Sequence, residues 1–291
     1  MERKLPAMQD RNASSTAFGT LYMRAVHQLL DAQPLVLDDP AAITLLGDDA
    51  ARQIRKSHKH HRTLEARALR THVVLRSRFT EDRLADAVER GIVQYVILGA
   101  GFDTFAFRQP SWARNLQVFE VDQPATQSQK RTRLVDAGMA IPSNLHFAEI
   151  DFESESLRDG LIRHGVSMTA PTFFSWLGVT MYLQEEAIDA VLRTVAGFPA
   201  KSEIVLTFTQ PPDLLSGRES KLHSFLAKAV HQSGEPFVSY FTCAAIEEKL
   251  HNAGFKKIAF LSDEEADQRY FRHRPRDLYI SKRSAIACAM L

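Results

Sequence analysis

Apolar positions along the chain change their period near residue 92, and that change divides the sequence. Before it, the spacing is helical. Ala17, Leu21, Ala25 and Leu29 recur at three- and four-residue steps behind the hydroxyls of Ser14, Ser15 and Thr16, which suit a helix N-cap. Gln33-Pro34 stops that helix, and Asp38-Asp39-Pro40 starts another, with proline at the first helical position. A longer helix is predicted from about Arg62 to Glu89, with Leu64, Ala68, Leu75 and Phe79 on one face and Gly91 as its C-terminal stop.

After residue 92 short β-prone apolar runs alternate with helical segments. Strands are predicted over 93–98, 116–122, 145–148, 172–177 and 203–208, with further strands near 256–261 and 277–281. Helices are predicted over 124–137, 184–195 and 243–253. This alternation means βαβ units and a mostly parallel sheet, with helices on both faces through right-handed crossovers. Pro211-Pro212 and Gly234-Glu235-Pro236 bracket a helical insert at about 213–232, too long for a simple connection and a candidate lid over 211–240.

Composition narrows the class. The chain has 291 residues, 45% of them apolar and 24% charged, an ordinary globular mix. Lys plus Arg number 36 against 35 acids, so no global charge draws the chain to nucleic acid or to an anionic membrane. No apolar run reaches the roughly 18–20 residues that span a bilayer, and Met1-Glu2-Arg3-Lys4 is not followed by the apolar stretch of a secretory signal. Cys243 and Cys288 are far apart, without metal-ligand or disulfide spacing. The expectation is a cytoplasmic protein with two reduced thiols.

In an open α/β sheet, ligands bind beyond the carboxyl ends of the strands. The first such strand ends in Gly99-Ala100-Gly101-Phe102-Asp103-Thr104, where two glycines permit a tight turn and close backbone approach. The second ends in Glu120 and Asp122, about twenty residues on, where an acid can accept from both hydroxyls of a ribose. A dinucleotide fingerprint would have its third glycine where Thr104 stands, and Asp103 would repel a pyrophosphate. A ligand with a positive centre and no phosphate, such as S-adenosylmethionine, fits better. Asp151-Phe152 after the third strand could hold an adenine amino group and ring. The other readings of the two acids are helix caps.

Longer matches give the resemblance. Val96 to Thr104 with Phe107-Arg108, Phe119 to Pro124, Ser175 to Leu183, and Arg76-Ser77-Arg78 with Glu81-Asp82 together resemble motifs of the leucine carboxyl methyltransferase family, in its bacterial branch. Ser15-Thr16-Ala17, Arg24 and Asp39-Pro40 are similar to its N-terminal elements. The resemblance covers nearly the whole chain. It implies a class I methyltransferase (Rossmann-like) fold: one seven-stranded, mostly parallel sheet whose last strand is antiparallel. It also implies a single domain over 1–291, with a helical cap over 1–90 and a cofactor-binding core over 91–291. The implied cofactor is S-adenosylmethionine, contacted by Gly99, Ala100, Gly101, Asp103, Glu120, Asp122, Asp151 and Phe152. One arginine of the Arg76/Arg78 pair would hold the methionine carboxylate, as a bidentate fork can. Leu177 stands where many relatives carry a glutamate against the cofactor's ammonium group.

The acceptor side is less defined. Tyr182, Tyr240 with Phe237 and Phe241, and Arg24 or Arg70 are candidates; Arg24 would suit an anionic acceptor, but a solvated helix face is its favoured reading. The implied reaction is methyl transfer to an oxygen, a carboxylate or a hydroxyl, of a small-molecule acceptor, by in-line displacement. A carboxylate needs no general base and a hydroxyl does. The competing readings are a non-catalytic module that binds the cofactor and, less favoured, an NAD(P)-dependent oxidoreductase. His58, His60 and His61 lack a carboxylate or cysteine partner, so no metal is expected. The basic stretch from Arg52 to Arg70 has little aromatic interleaving, which argues against nucleic acid.

Overall fold

The structure, a computed structural model, describes residues 14–152 and 154–291. Four helices come first: α1 (Ser15–Leu30), α2 (Pro40–Leu46), α3 (Asp48–Lys56) and α4 (Leu64–Glu89). Ser14 caps α1 by accepting from the Ala17 amide, and Asp39 caps α2 in front of its proline. The alternating part follows: β1 (Gln94–Leu98), β2 (Gln117–Asp122), α5 (Pro124–Asp136), β3 (Leu145–Glu149), α6 (Leu157–Arg163), β4 (Thr172–Trp176), α7 (Glu185–Ala196), β5 (Glu203–Thr209), α8 (Gly217–Gln232), α9 (Cys243–Ala253), β6 (Lys257–Phe260), α10 (Asp263–Ala266) and β7 (Ser284–Met290).

The seven strands form one sheet in the order β3-β2-β1-β4-β5-β7-β6. β7 lies antiparallel between β5 and β6, and the pairs from β3 to β5 are parallel. Alternation along β1 shows how both faces are buried. Val96 and Leu98 pack into one core with α6, α7 and α9. Tyr95 and Ile97 enter the other with α4 and the short turns after β1. The connection from β1 to β2 has no α-helix, only two 3₁₀ turns at Phe105–Phe107 and Ser111–Ala113. α4 supplies Leu75, Phe79 and Leu84 to that face instead, so part of the N-terminal helical region acts as a layer of the sheet domain. A third core joins α1, α2 and α3 to Phe102 of the glycine turn and Leu134 of α5.

One expected strand is wrong. Residues 277–281 do not join the sheet; the last strand is β7, at 284–290. Side chains of α4 satisfy the earlier backbone. Arg67 donates to the carbonyls of Arg276, Asp277 and Leu278, and the Tyr279 amide donates to Thr71 Oγ1 at 2.9 Å. The alanine-rich β7 has weak β-propensity and owes its conformation to two flanking strands.

Candidate functional site

The glycine turn is set by backbone sterics. Gly99 and Gly101 have φ of +66° and +52°, left-handed values that a side chain resists. A Cβ on Gly99 would lie 2.3 Å from Val179 Cγ2, and one on Gly101 would lie 3.0 Å from the Ala17 Cβ. The turn is thus wedged between the loop after β4 and helix α1. The amide of Ala100 donates to the Val121 carbonyl at 3.0 Å, and that of Asp103 to the Ala100 carbonyl at 2.8 Å.

Asp122 belongs to this turn. Its Oδ2 accepts from the Gly101 amide at 2.6 Å and its Oδ1 from the Gln123 amide at 2.8 Å. Burial pushes its carboxyl up, against those two hydrogen bonds. The Thr126 hydroxyl also bonds to this carboxylate, which leaves it part of its acceptor capacity for a ligand hydroxyl. Glu120 is placed differently. It is 1% exposed and ion-paired with Lys130 of α5, which also donates to the Asp103 carbonyl. Burial raises its carboxyl to about 7 against the pull of Lys130. Glu120 therefore braces the turn from beneath.

Asp103 turns toward α1. Its Oδ2 accepts from Arg24 at 3.0 Å and its Oδ1 from the Phe105 amide at 2.8 Å. Burial opposes its ionisation, but Arg24, Lys130 and Arg108 outweigh that and hold its carboxyl below the usual value. Arg24 is only 6% exposed. It also donates to Thr104 Oγ1 at 3.0 Å and Ser77 Oγ at 2.8 Å, and lies 3.6 Å from Asp39. It is neither on a solvated face nor free for an acceptor. Arg70 is equally engaged, held bidentate by Asp31 at 2.7 and 2.8 Å.

The two arginines of α4 separate. Arg78 pairs with Asp82 at 2.8 Å on an exposed face. Arg76 is 8% exposed and points into the site. Its guanidinium covers Gly178, where an added Cβ would meet Nη1 at 2.4 Å. Among the described residues no acceptor faces this guanidinium, and its buried Nε is unpartnered. Burial and the neighbouring Arg24 and Arg283 charges push it down to about 10, with Tyr182 and Asp103 opposing. A buried cation without a counter-ion is costly unless an anion completes it.

Gly178 follows β4 directly, and its amide is tied to Thr207 Oγ1 on β5 at 2.7 Å. Leu177 packs against the core on the α4 side. Asp151 and Phe152 lie half-buried after β3, and Phe152 packs against the other core. Ser156, not Asp151, caps α6.

Beyond Gly178 lies an aromatic cluster. The Tyr182 and Phe237 ring centroids are 5.5 Å apart, and those of Phe237 and Tyr240 are 6.4 Å apart. His223 of α8 joins them, 5.7 Å from Tyr240 and 6.3 Å from Phe237. Burial raises the Tyr182 phenol, which lies beside Thr16. The chain at 237–241 is held in place by backbone bonds. The Val238 amide donates to Met181 at 2.8 Å, and that of Phe241 to Thr209 at 3.0 Å. Phe241 itself is in the core with α9. Glu235 clasps the start of α1: its carboxylate accepts from Ser14 Oγ, the amides of Ser15 and Thr16, and Thr16 Oγ1.

Sequence reasoning missed His72, His223, Lys130, Glu235 and Arg283. Each is a single polar residue in an ordinary helix or loop, with no motif spacing to mark it. Only Gly178, inside the Ser175–Leu183 motif, carried a signal that could have been used.

Comparison with known proteins agrees with this geometry. The model of the leucine carboxyl methyltransferase family matches residues 17–196. The Bacillus subtilis protein named "Putative S-adenosyl-L-methionine-dependent methyltransferase YktD" is 32% identical over 93% of this chain and 95% of its own. A Mycobacterium marinum protein with the same kind of name is 30% identical over 68% of each chain. Among solved structures, one from Thermobifida fusca has a TM-score of 0.57 at 16% identity over 92% of this chain and 93% of that one. A Streptomyces avermitilis protein of the DUF574 family has a TM-score of 0.55 at 16% identity over 96% and 97%. At that identity these two speak for the fold alone. The chain belongs to the leucine carboxyl methyltransferase family of S-adenosylmethionine-dependent methyltransferases.

Proposed function

We propose that the protein methylates an oxygen, a carboxylate or a hydroxyl, of a small-molecule acceptor. The observation that supports it most is the unpaired guanidinium of Arg76 lying over Gly178 at the carboxyl edge of the sheet. Bound S-adenosylmethionine supplies an electrophilic methyl group on a sulfonium. In this reading Arg76 takes the cofactor's carboxylate, the free lone pairs of Asp122 take the ribose hydroxyls, and Asp151 with Phe152 takes the adenine. Gly99, Ala100 and Gly101 offer bare backbone to the ligand, while Asp103 and Glu120 hold the turn. Arg78 is left outside. Leu177 offers no acid to the ammonium group, so that contact goes to backbone carbonyls.

The acceptor would lie against Tyr182, Phe237 and Tyr240, where the chain's task is to align an oxygen with the methyl group. His223 is pushed below its usual pKa by burial and by Arg283. It is therefore a neutral imidazole at pH 7, in the form that could take a proton from a hydroxyl acceptor. The insert around α8 carries this wall.

Calorimetric titration with S-adenosylhomocysteine, NAD and NADP tests the cofactor reading. Micromolar binding of the thioether alone is expected. Binding of a dinucleotide alone would overturn it. Methyl-ester or methyl-ether formation in an acceptor screen then separates an enzyme from a module that only binds the cofactor.

A further inference from the structure

Ten buried side-chain polar atoms lack a hydrogen-bond partner among the described residues, and four of them belong to residues linked by the charge of Arg283. They are Arg76 Nε, His72 Nε2, His223 Nδ1 and Arg283 Nε. The others include Arg274 Nη1 and Asp277 Oδ1, which are ion-paired with each other at 3.0 Å. The role assigned to Arg283 rests on the cofactor reading, which takes up Arg76 and leaves Arg283 without an anion.

Arg283 is 3% exposed and stands just before β7. Because β7 is antiparallel, its amino end lies at the carboxyl edge of the parallel strands. The Gln210 amide, just past β5, donates to the Arg283 carbonyl at 2.8 Å and fixes it there. Along that edge, from β4 through β5 to β7, Arg283 is two strand spacings from Gly178, about 10 Å. Arg76 reaches the site from α4 and Arg283 from the start of β7, and among the described residues neither guanidinium is ion-paired with a carboxylate. The nearest acid is Glu219, on the first turn of α8. Its carboxylate is occupied by Tyr279 Oη, Ser281 Oγ and the Lys282 amide, and no ion pair joins it to Arg283 among the described residues. The Arg283 guanidinium feels the charges of Glu219 and Tyr182, and burial pushes it down to about 10. Burial depresses His72 and His223, and the Arg283 charge adds to both, after Arg76 in the case of His72. The Phe241 amide donates to the Thr209 carbonyl, next to Gln210, so the chain carrying the aromatic cluster runs beside Arg283.

We propose that Arg283 is the anion anchor of the acceptor site, and that the acceptor is a flat, largely apolar organic monocarboxylate. Its carboxylate sits on the Arg283 fork and its ring or chain lies against Tyr182, Phe237 and Tyr240. A planar carboxylate matches the guanidinium geometry. One negative charge matches one cation, and Glu219 close by disfavours a dianion. The free nitrogens of His72 and His223 provide donors at the rim, and the rings provide the apolar wall that small-molecule sites need.

The test is calorimetry with phenylacetate and with phenylacetamide, each in the presence and absence of saturating S-adenosylhomocysteine. The two probes share a shape and differ in charge. In the wild-type protein the carboxylate binds at least tenfold more tightly than the amide, as a charge-assisted pair requires. Arg283→Met removes that preference and leaves the S-adenosylhomocysteine affinity within about threefold, while Arg283→Lys keeps a reduced preference. Equal binding of the two probes to wild type overturns the anchor, whether or not either variant folds. An Arg283→Met protein that loses S-adenosylhomocysteine instead would place Arg283 in the cofactor site and also overturn it. A wild-type protein that prefers phenylacetate but ignores S-adenosylhomocysteine sinks the cofactor reading; the anchor then stands if Arg283→Met removes the preference and falls if that variant retains it.

Discussion

Arg76→Met is the most informative single change, because it moves stability and binding in opposite directions. Methionine keeps most of the aliphatic stem and removes the charge. Pushing a guanidinium from its usual range down to about 10 costs the folded, charged state about 3 kcal/mol, at about 1.4 kcal/mol per tenfold. The sign follows from linkage. The folded chain binds this proton less tightly than the unfolded chain, so the penalty is full below about pH 10 and fades only as the pH rises beyond it. At pH 7.5 the ligand-free variant therefore gains up to about 3 kcal/mol, or several degrees at about 2–4 °C per kcal/mol. Binding goes the other way. A lost charge-assisted fork costs about 3–4 kcal/mol, a weakening of S-adenosylhomocysteine by about 10²–10³. Differential scanning fluorimetry with and without S-adenosylhomocysteine reads both: a higher ligand-free midpoint and no ligand-induced shift. A variant that is less stable than wild type yet binds S-adenosylhomocysteine equally well would refute the reasoning. Arg76 would then be a structural residue with an acceptor of its own.

Gly178→Ala should do by crowding what Arg76→Met does by deletion. It places a methyl group 2.4 Å from Nη1 at a φ of +76° and should weaken S-adenosylhomocysteine at least tenfold. Gly138→Ala, at φ +63° with nothing within 4 Å, carries only backbone strain of about 1–2 kcal/mol; similar affinities for the two would count against the placement of the guanidinium. Glu235→Ala leaves the first turn of α1 unclasped, and amide exchange at residues 15–17 should speed up at least tenfold; unchanged protection would show that Ser14 alone holds that end. Glu120 should give stability a pH slope. Its folded carboxyl titrates at about 7 rather than 4.5, so the folded chain holds a proton the unfolded chain has lost, and stability falls as the pH rises from about 4.5 to 7 and then levels. Glu120→Gln should flatten that interval in urea midpoints measured against pH, and a slope that survives there would assign it to other groups.

The sheet was legible where side-chain periodicity and burial agree. Val96-Ile97-Leu98 and Ile204-Val205-Leu206 are buried on both faces and read as such. β7 was not legible, because Ala287 and Ala289 gain their strand character from β5 and β6, and the more β-prone Leu278-Tyr279-Ile280 spends its backbone on α4. Asp122 and the glycines stand beside one another because β1 and β2 are adjacent, and spacing alone conveys that adjacency. Telling Arg76 from Arg78 required knowing which side of α4 meets the sheet. In a helix whose sides are both rich in arginine the sequence is nearly silent on this. Arg24 read as a surface residue because its partners, Ser77, Asp103 and Thr104, come from two other segments. His72, His223 and Arg283 meet only through tertiary folding.

The position of β7 has a consequence for how the protein is made. β1 to β5 can pair in order as the chain leaves the ribosome, but β6 borders only β7. It therefore emerges without a partner and waits for residues 284–291, whose amide at Leu291 closes onto the Ser202 carbonyl at 3.0 Å. Arg283 arrives at the carboxyl edge with that same stretch. A nascent chain can thus assemble the glycine turn and the Arg76 side well before the wall beside Arg283 exists. The arrival of β7, and not the folding of the early sheet, decides when this end of the carboxyl edge is complete.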